Sequence, residues 1–216
     1  MKILAVVVNY HSKKWLPDLL AQLRQEQVLN GVIIGNNSAE EKLDHFAKED
    51  DFITVINFDK NLGFAKAVNQ CIQSRTADWY LVINPDCLPE NGFVKSLLDA
   101  AIQLDACLAG PRFYLDKEKS FRLPPATGEL LQLSDALIAL PEVSATSLEI
   151  SNRQIENHSS FWKQTAPFSQ EVLSGACLLV KNDPLIFEGG KLFDEQFFTY
   201  YEDPDLCLRA KQAGDR

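Results

Sequence analysis

The sequence predicts an α/β protein with a mostly parallel central sheet and helices on both faces. Three observations predict it. Trp79-Tyr-Leu-Val-Ile83 is an unbroken apolar run, the pattern of a strand covered on both sides rather than one with a wet face. Strand-like and helix-like runs alternate four times between Ile3 and Ala101, with short connections, which is the signature of βαβ units. Finally, 216 residues at 46% hydrophobic content can bury one sizeable core without requiring two. A single domain over 1–216 is expected.

Ile3 to Val8 is a continuous aliphatic strand ended by Asn9-Tyr10-His11-Ser12. Trp15, Leu16, Leu19, Leu20 and Leu23 follow at helical spacing, with Pro17 in the first turn, where its missing N–H is harmless. Gly31 to Gly35 is a second strand, and Asn36-Asn37-Ser38 offers caps for a helix with Leu43, Phe46 and Ala47 inward. Ile53 to Phe58 is a third strand. Asn61-Leu-Gly63-Phe64 opens a helix with Phe64, Ala67, Val68, Cys71 and Ile72 on one side. The Trp79 strand comes next and stops at Asn84-Pro85-Asp86, since proline cannot donate to the ladder and biases Asn84 away from helix. A helix from about Glu90 turns Phe93, Leu97, Leu98 and Ala101 inward. Regularity lapses after Gly110. From about Asp116 to Ser169 the chain carries four prolines, polar clusters and one helix-like piece near 130–140, as a functional loop or a partly disordered segment does. Order returns with a strand over Glu171 to Val180, broken at Gly175, where something can approach the backbone. An aromatic run from Phe197 leads into Glu202-Asp203-Pro204 and a last helix ending at Gly214.

A net charge of −9 and a pI near 4.9, with scattered basic residues, argue against a nucleic-acid partner or an anionic bilayer. No apolar run has the length of a membrane span, and the amino terminus reads as a strand rather than a secretion signal. The expected location is the cytoplasm, with at most peripheral membrane association. Five cysteines, far apart and without a CxxC pair, read as buried reduced thiols.

Three groups fall at the same edge of the predicted sheet: Asn9-Tyr10, Gly35-Asn36-Asn37-Ser38 and Asn84-Pro85-Asp86. Open α/β sheets bind their ligands at that edge. Asn-Pro-Asp alone reads equally as a plain turn. There is no Walker loop and no GxGxxG after the first strand. A phosphate ligand therefore needs another counter-charge, and a divalent cation, Mg²⁺ or Mn²⁺, held by Asp86 supplies one. Glu202-Asp203 is a second acidic centre, either a helix cap or a pair in which one carboxylate is desolvated enough to act as a general base. Phe161, Trp162 and Phe168 read as core cover or as a platform for an acceptor sugar.

The collinear set Val-Val-Asn9-Tyr10, Asn36-Asn37-Ser38, Asn61-Leu-Gly63-Phe64-Ala65, Asn84-Pro85-Asp86, Ser174-Gly175-Ala176 and Tyr201-Glu202-Asp203-Pro-Asp205-Leu-Cys-Leu-Arg209 resembles family 2 glycosyltransferases of the GT-A fold, in their rhamnosyltransferase-like branch. The resemblance implies an inverting transferase that moves a sugar, rhamnose in that branch, from a dTDP- or UDP-linked donor to a saccharide or lipid-linked acceptor in surface polysaccharide synthesis. It implies Asp86 on the metal and the donor diphosphate. Asn9, Tyr10, Gly35, Asn36, Asn37, Asn61, Gly63, Phe64 and Asn84 then line the nucleotide-sugar pocket, Gly175 borders the sugar, and Asp203 is the base with Glu202 beside it. Residues 1–110 would form the nucleotide-binding half, 111–170 a variable acceptor region and 171–216 the acceptor-side half, and a homodimer is an open option. This sequence departs from the family at Gly35, where an Asp is usual, and at its end, where relatives continue into a strand and often a metal-binding histidine; His11, His45 and His158 read as surface or helix residues. Two alternatives stand beside this reading: a GT-A-like nucleotide-sugar binding module without activity, and a nucleotidyltransferase, whose glycine- and lysine-rich loop is missing here.

Overall fold

A computed structural model of the protein describes residues 1–48, 51–123 and 161–215. The helix-like piece near 130–140 and His158 lie outside them. In chain order the elements are β1 (Ile3–Asn9), α1 (Leu16–Leu23), β2 (Val32–Asn36), β3 (Ile53–Asn57), α2 (Phe64–Ser74), β4 (Trp79–Ile83), α3 (Phe93–Leu104), β5 (Leu108–Ala109), β6 (Cys177–Lys181) and α4 (Glu202–Gln212). The sheet order is β3-β2-β1-β4-β6-β5. β1, β2, β3 and β4 are parallel, and β6 runs antiparallel to both β4 and β5.

The unbroken apolar strands do cover both faces. Leu4, Val6, Val8, Ile33, Tyr80, Val82, Leu178 and Val180 point to one side, where α2 and α4 pack with Val68, Ile72 and Leu206. Ile3, Ala5, Val7, Val32, Ile34, Leu81 and Leu179 point to the other, against Leu19 and Leu23 of α1 and Leu97 and Leu98 of α3. The chain moves outward from β1 to β2 and returns from β3 to β4. Crossovers of one hand must then lie on opposite faces, which is where α1 and α2 lie. The direction of travel also reverses between β1 and β4, and a crevice opens at their carboxyl ends.

Two expected elements differ. The second helix is only a 3₁₀ turn, Asp44–Ala47. Asn36, Asn37 and Ser38 do not cap it, because their side chains bond across the strand ends instead, Ser38 Oγ accepting from His11 N–H. The strand expected over 171–180 forms only from Cys177, and its first residues curve toward α4. All five thiols are free, and only Cys87 is more than marginally accessible. Burial pushes the Cys71 and Cys87 thiols up to about 12, so they are inert near neutrality. Among the described residues no helix is long and apolar enough to cross a membrane.

Candidate active site

A cavity of about 610 Å³ opens at the crevice. β1 brings Val8 to it and the turn after β1 brings Tyr10, the turn after β4 brings Asn84, Pro85 and Asp86, and the segment before β6 brings Ser174, Gly175 and Ala176. The start of α4 brings Glu202 and Asp203. Asp86 and the pair at 202 and 203 thus border one void, although more than a hundred residues separate them in the chain.

Gly175 explains how the acidic pair reaches the sheet. Its N–H donates to Asp203 Oδ2 at 2.8 Å, and a side chain at 175 would place its Cβ 3.3 Å from the Asp203 Cβ. The missing side chain is what admits Asp203. Its other oxygen, Oδ1, makes no hydrogen bond in the protein among those described. Glu202 is buried at 6% exposure, and its Oε2 has no hydrogen-bond partner. Desolvation by burial raises its pKa above the usual 4.5, its own N–H works against that, and the neighbouring Asp203 charge adds to it. Asp86 is exposed and Asn84 half-buried.

The approach to α4 is strained. Tyr200 and Tyr201 have φ of 70° and 72°, a left-handed conformation that costs about 1–2 kcal/mol for a residue with a Cβ. The segment is held by the start of α2, where Phe64 N–H donates to the Phe198 carbonyl at 2.7 Å. Gly63 makes that approach possible: φ is +81°, and a Cβ there would stand 2.4 Å from the Phe198 oxygen. Asn37 in turn locks the glycine turn, accepting from Leu62 N–H at 3.1 Å and donating to the Gly63 carbonyl at 3.0 Å.

The residues expected around a nucleotide divide accordingly. Tyr10, Asn37, Asn61, Gly63, Phe64, Asn84, Asp86 and Gly175 border the cavity; Asn9, Gly35 and Asn36 do not. Asn9 and Asn36 are fully enclosed. The Asn9 amide donates to Asn36 Oδ1 at 3.0 Å and to Glu41 Oε2 at 2.7 Å. The Asn36 amide donates to the Glu41 carbonyl at 2.8 Å and to Asn57 at 3.0 Å. Both amides are spent on tying strand ends together. At Gly35 a Cβ would meet Cys71 Sγ at 2.7 Å and the Phe58 ring at 3.1 Å, so an acidic side chain has no room. Phe161, Trp162 and Phe168 gather around the Arg112 guanidinium at 5.3–5.6 Å, away from the carboxylates.

Several cavity residues carried no signal of their own in the sequence: Ser12, Trp15, Phe198, Thr199 and Tyr200. Trp15, spaced as a core residue, is 40% exposed. The aromatic run before Glu202 was the one available hint for Phe198, Thr199 and Tyr200. A second cavity of about 410 Å³, between α3, β5 and α4, meets the first only at Ser174 and contains none of the three carboxylates.

Among the described residues no three His, Cys, Asp or Glu side chains cluster as metal ligands. The donor set fits a hard cation only as one shared with a ligand: Asp86 gives a free carboxylate, and phosphate oxygens would complete the shell.

Glycosyl transferase family 2 matches residues 4–169. An N-acetylglucosaminyl-diphospho-decaprenol L-rhamnosyltransferase of Mycobacterium tuberculosis is 27% identical over 97% of this chain and 70% of its own length. The dTDP-rhamnosyl transferase RfbF of Shigella flexneri is 24% identical over 98% of this chain and 64% of its own. Among solved structures, TarS 1-349 of S. aureus in complex with UDP superposes with a TM-score of 0.62 at 14% identity, over 99% of this chain and 56% of that one. The mannosyltransferase PcManGT of Pyrobaculum calidifontis, in complex with GDP-Man and Mn²⁺, gives 0.61 at 11%, over 98% and 51%. The chain thus spans about half the length of these solved proteins, and their likeness is one of fold. The family match covers most of the chain: it belongs to glycosyl transferase family 2, is rhamnosyltransferase-like, and has the GT-A fold.

Proposed function

We propose that the protein moves a sugar, L-rhamnose by likeness to the two named relatives, from a dTDP- or UDP-linked donor to a hydroxyl of a saccharide or lipid-linked glycan, with inversion. The observation that carries this reading is the convergence of Asp86, Glu202 and Asp203 on one cavity at the carboxyl edge of the sheet. Residues 1–110 would hold the nucleotide and 171–216 would face the acceptor. The reading puts the reaction in the cytoplasm, at the bilayer surface when the acceptor is lipid-linked.

In this reading Asp86, with Asn84 beside it, holds a divalent cation and the donor diphosphate. That cation, when bound, offsets the charge on the leaving group. Tyr10 and Asn61 border the nucleoside. Asp203 is held by the Gly175 N–H with Oδ1 directed to the reaction, so that it takes the proton of the acceptor hydroxyl. The acceptor oxygen bonds to C1 of the sugar, the C1–O bond to the diphosphate breaks on the opposite face, and the nucleotide diphosphate leaves with that electron pair. Attack and departure on opposite faces invert the centre, which requires the base and the diphosphate site to come from opposite walls. Asp203 and Asp86 come from separate segments bordering the one cavity, which leaves room for the sugar between them.

Thermal unfolding with dTDP and dTDP-L-rhamnose, with and without Mn²⁺, tests the assignment. A ligand at a hundred times its Kd stabilises by about 2.7 kcal/mol, roughly 5–10 °C for a domain of this size. Wild type is expected to show a shift that needs Mn²⁺, and Asp86→Ala to lose the Mn²⁺-dependent part. An unchanged shift in Asp86→Ala removes Asp86 from the donor site. Wild type that responds to no dTDP, UDP or GDP ligand favours a binding module of another kind.

A further inference from the structure

The three carboxylates that border the cavity differ in what already engages them. Asp86 is open to solvent. Asp203 has one oxygen taken by the Gly175 N–H. Glu202 is 94% buried, counted from its 6% exposure, and its Oε2 is the one buried side-chain oxygen among the described residues without a partner. Leaving such an atom unpaired is costly, and an apolar residue at this place in the first turn of α4 would avoid the cost. Helix capping does not explain it, since α4 has no side-chain cap and starts from a left-handed Tyr201.

Resting on the glycosyltransferase reading, the position of Glu202 follows from where bonds change. The transferred sugar must lie between the diphosphate at Asp86 and the proton-accepting oxygen of Asp203, because C1 is attacked from one side and vacated on the other. Glu202 is adjacent to Asp203, borders the same void, and is the most enclosed of the three. What reaches it is the body of the sugar rather than the acceptor at the mouth. A sugar ring presents hydroxyl donors, which suit an unpaired carboxyl oxygen. We propose that Glu202 is a sugar-recognition residue: its carboxyl binds a hydroxyl of the transferred sugar and so selects which sugar nucleotide is accepted.

The test compares binding of a sugar nucleotide with that of its bare nucleotide, by calorimetry in the presence of Mn²⁺, using dTDP-L-rhamnose against dTDP and UDP-GlcNAc against UDP. Wild type is expected to bind one sugar nucleotide more tightly than its nucleotide. Glu202→Met, which keeps the volume and removes the hydrogen bond, should lose roughly tenfold or more in sugar-nucleotide affinity and stay within about twofold for the nucleotide. Glu202→Gln, which keeps an amide oxygen, should retain most of the gain. Equal losses for both ligands, or an undiminished gain in Glu202→Met, overturn the proposal. Wild type that gains nothing from either sugar overturns it while leaving the donor site standing, whereas wild type that binds neither nucleotide overturns the reading of the site itself. Glu202→Ala serves as a second variant if the methionine variant does not fold.

Discussion

At Glu202 the folded protein holds a proton more tightly than the unfolded chain does, and this has a sign that stability measurements can read. Below the ordinary carboxylate pKa both states are protonated and nothing is lost. As pH rises, the unfolded chain releases its proton first, so the unfolded state binds fewer protons than the native one and stability falls with pH. The loss accrues at about 1.4 kcal/mol for each pH unit between the two pKa values, and persists above the folded one. Glu202→Gln has no such proton to lose. The melting temperature of Glu202→Gln minus that of wild type is therefore expected to grow as pH climbs from about 4 through the carboxylate range, and then to level off. A difference that is flat or shrinks would mean that the buried oxygen is not desolvated in solution. Asp86 and Asp203 each read alone as a turn or a helix cap; the collinear blocks around them singled them out, and both border the cavity. Asn9 and Asn36, expected on the same resemblance, lie off that cavity. An amide at a strand end looks the same in sequence whether it faces a ligand or a neighbouring strand, and here Glu41 and Asn57 had already claimed both.

Among the elements, the turn from Asn61 to Phe64 sets the shape of the cavity, since it ties α2 to the strained segment ahead of α4. Gly63 meets two requirements there: a positive φ, and room for the Phe198 carbonyl. Gly63→Ala fails both. The backbone strain costs about 1–2 kcal/mol, and the clash with a main-chain oxygen displaces Tyr200 and Tyr201 with it. Gly63→Ala is expected to lower stability by about 2–4 kcal/mol and to weaken nucleotide binding as well, measured by chemical denaturation and calorimetry. Full wild-type affinity in the variant would show that the Phe198 segment is not part of the ligand's wall. The strands were legible element by element because a parallel sheet covered on both faces writes itself as unbroken Val, Ile and Leu. The antiparallel direction of β6 was not, since a buried strand carries the same apolar run in either sense. The second helix failed for want of length: Leu43, just before the 3₁₀ turn, is buried, and Phe46 within it packs partly buried against the same core, so one turn suffices.

Over the whole molecule, a net charge of −9 surrounds a cavity whose titratable walls are Asp86, Glu202 and Asp203 together with Tyr10 and Tyr200. Among the described residues no lysine or arginine borders that cavity. A nucleotide diphosphate would enter such a site against repulsion from these three carboxylates, with Lys14, 4.8 Å from the ring of the cavity residue Trp15, an exposed charge that physiological salt screens over ~8 Å. Two consequences separate the roles of the acids. Without divalent cation, binding of dTDP should strengthen as monovalent salt rises, the reverse of what a basic phosphate site shows, and either Asp86→Asn or Asp203→Asn should strengthen it by removing one negative charge. With Mn²⁺ present the two variants should part. Asp203→Asn keeps the Mn²⁺-dependent gain in dTDP affinity but loses turnover by at least about 100-fold, as expected when a general base is removed. Asp86→Asn loses the gain itself, by about tenfold or more. If instead both variants keep the gain, the cation is held elsewhere than at Asp86; if both lose it, Asp203 is a metal ligand rather than the base, and the division of labour across the cavity would have to be redrawn.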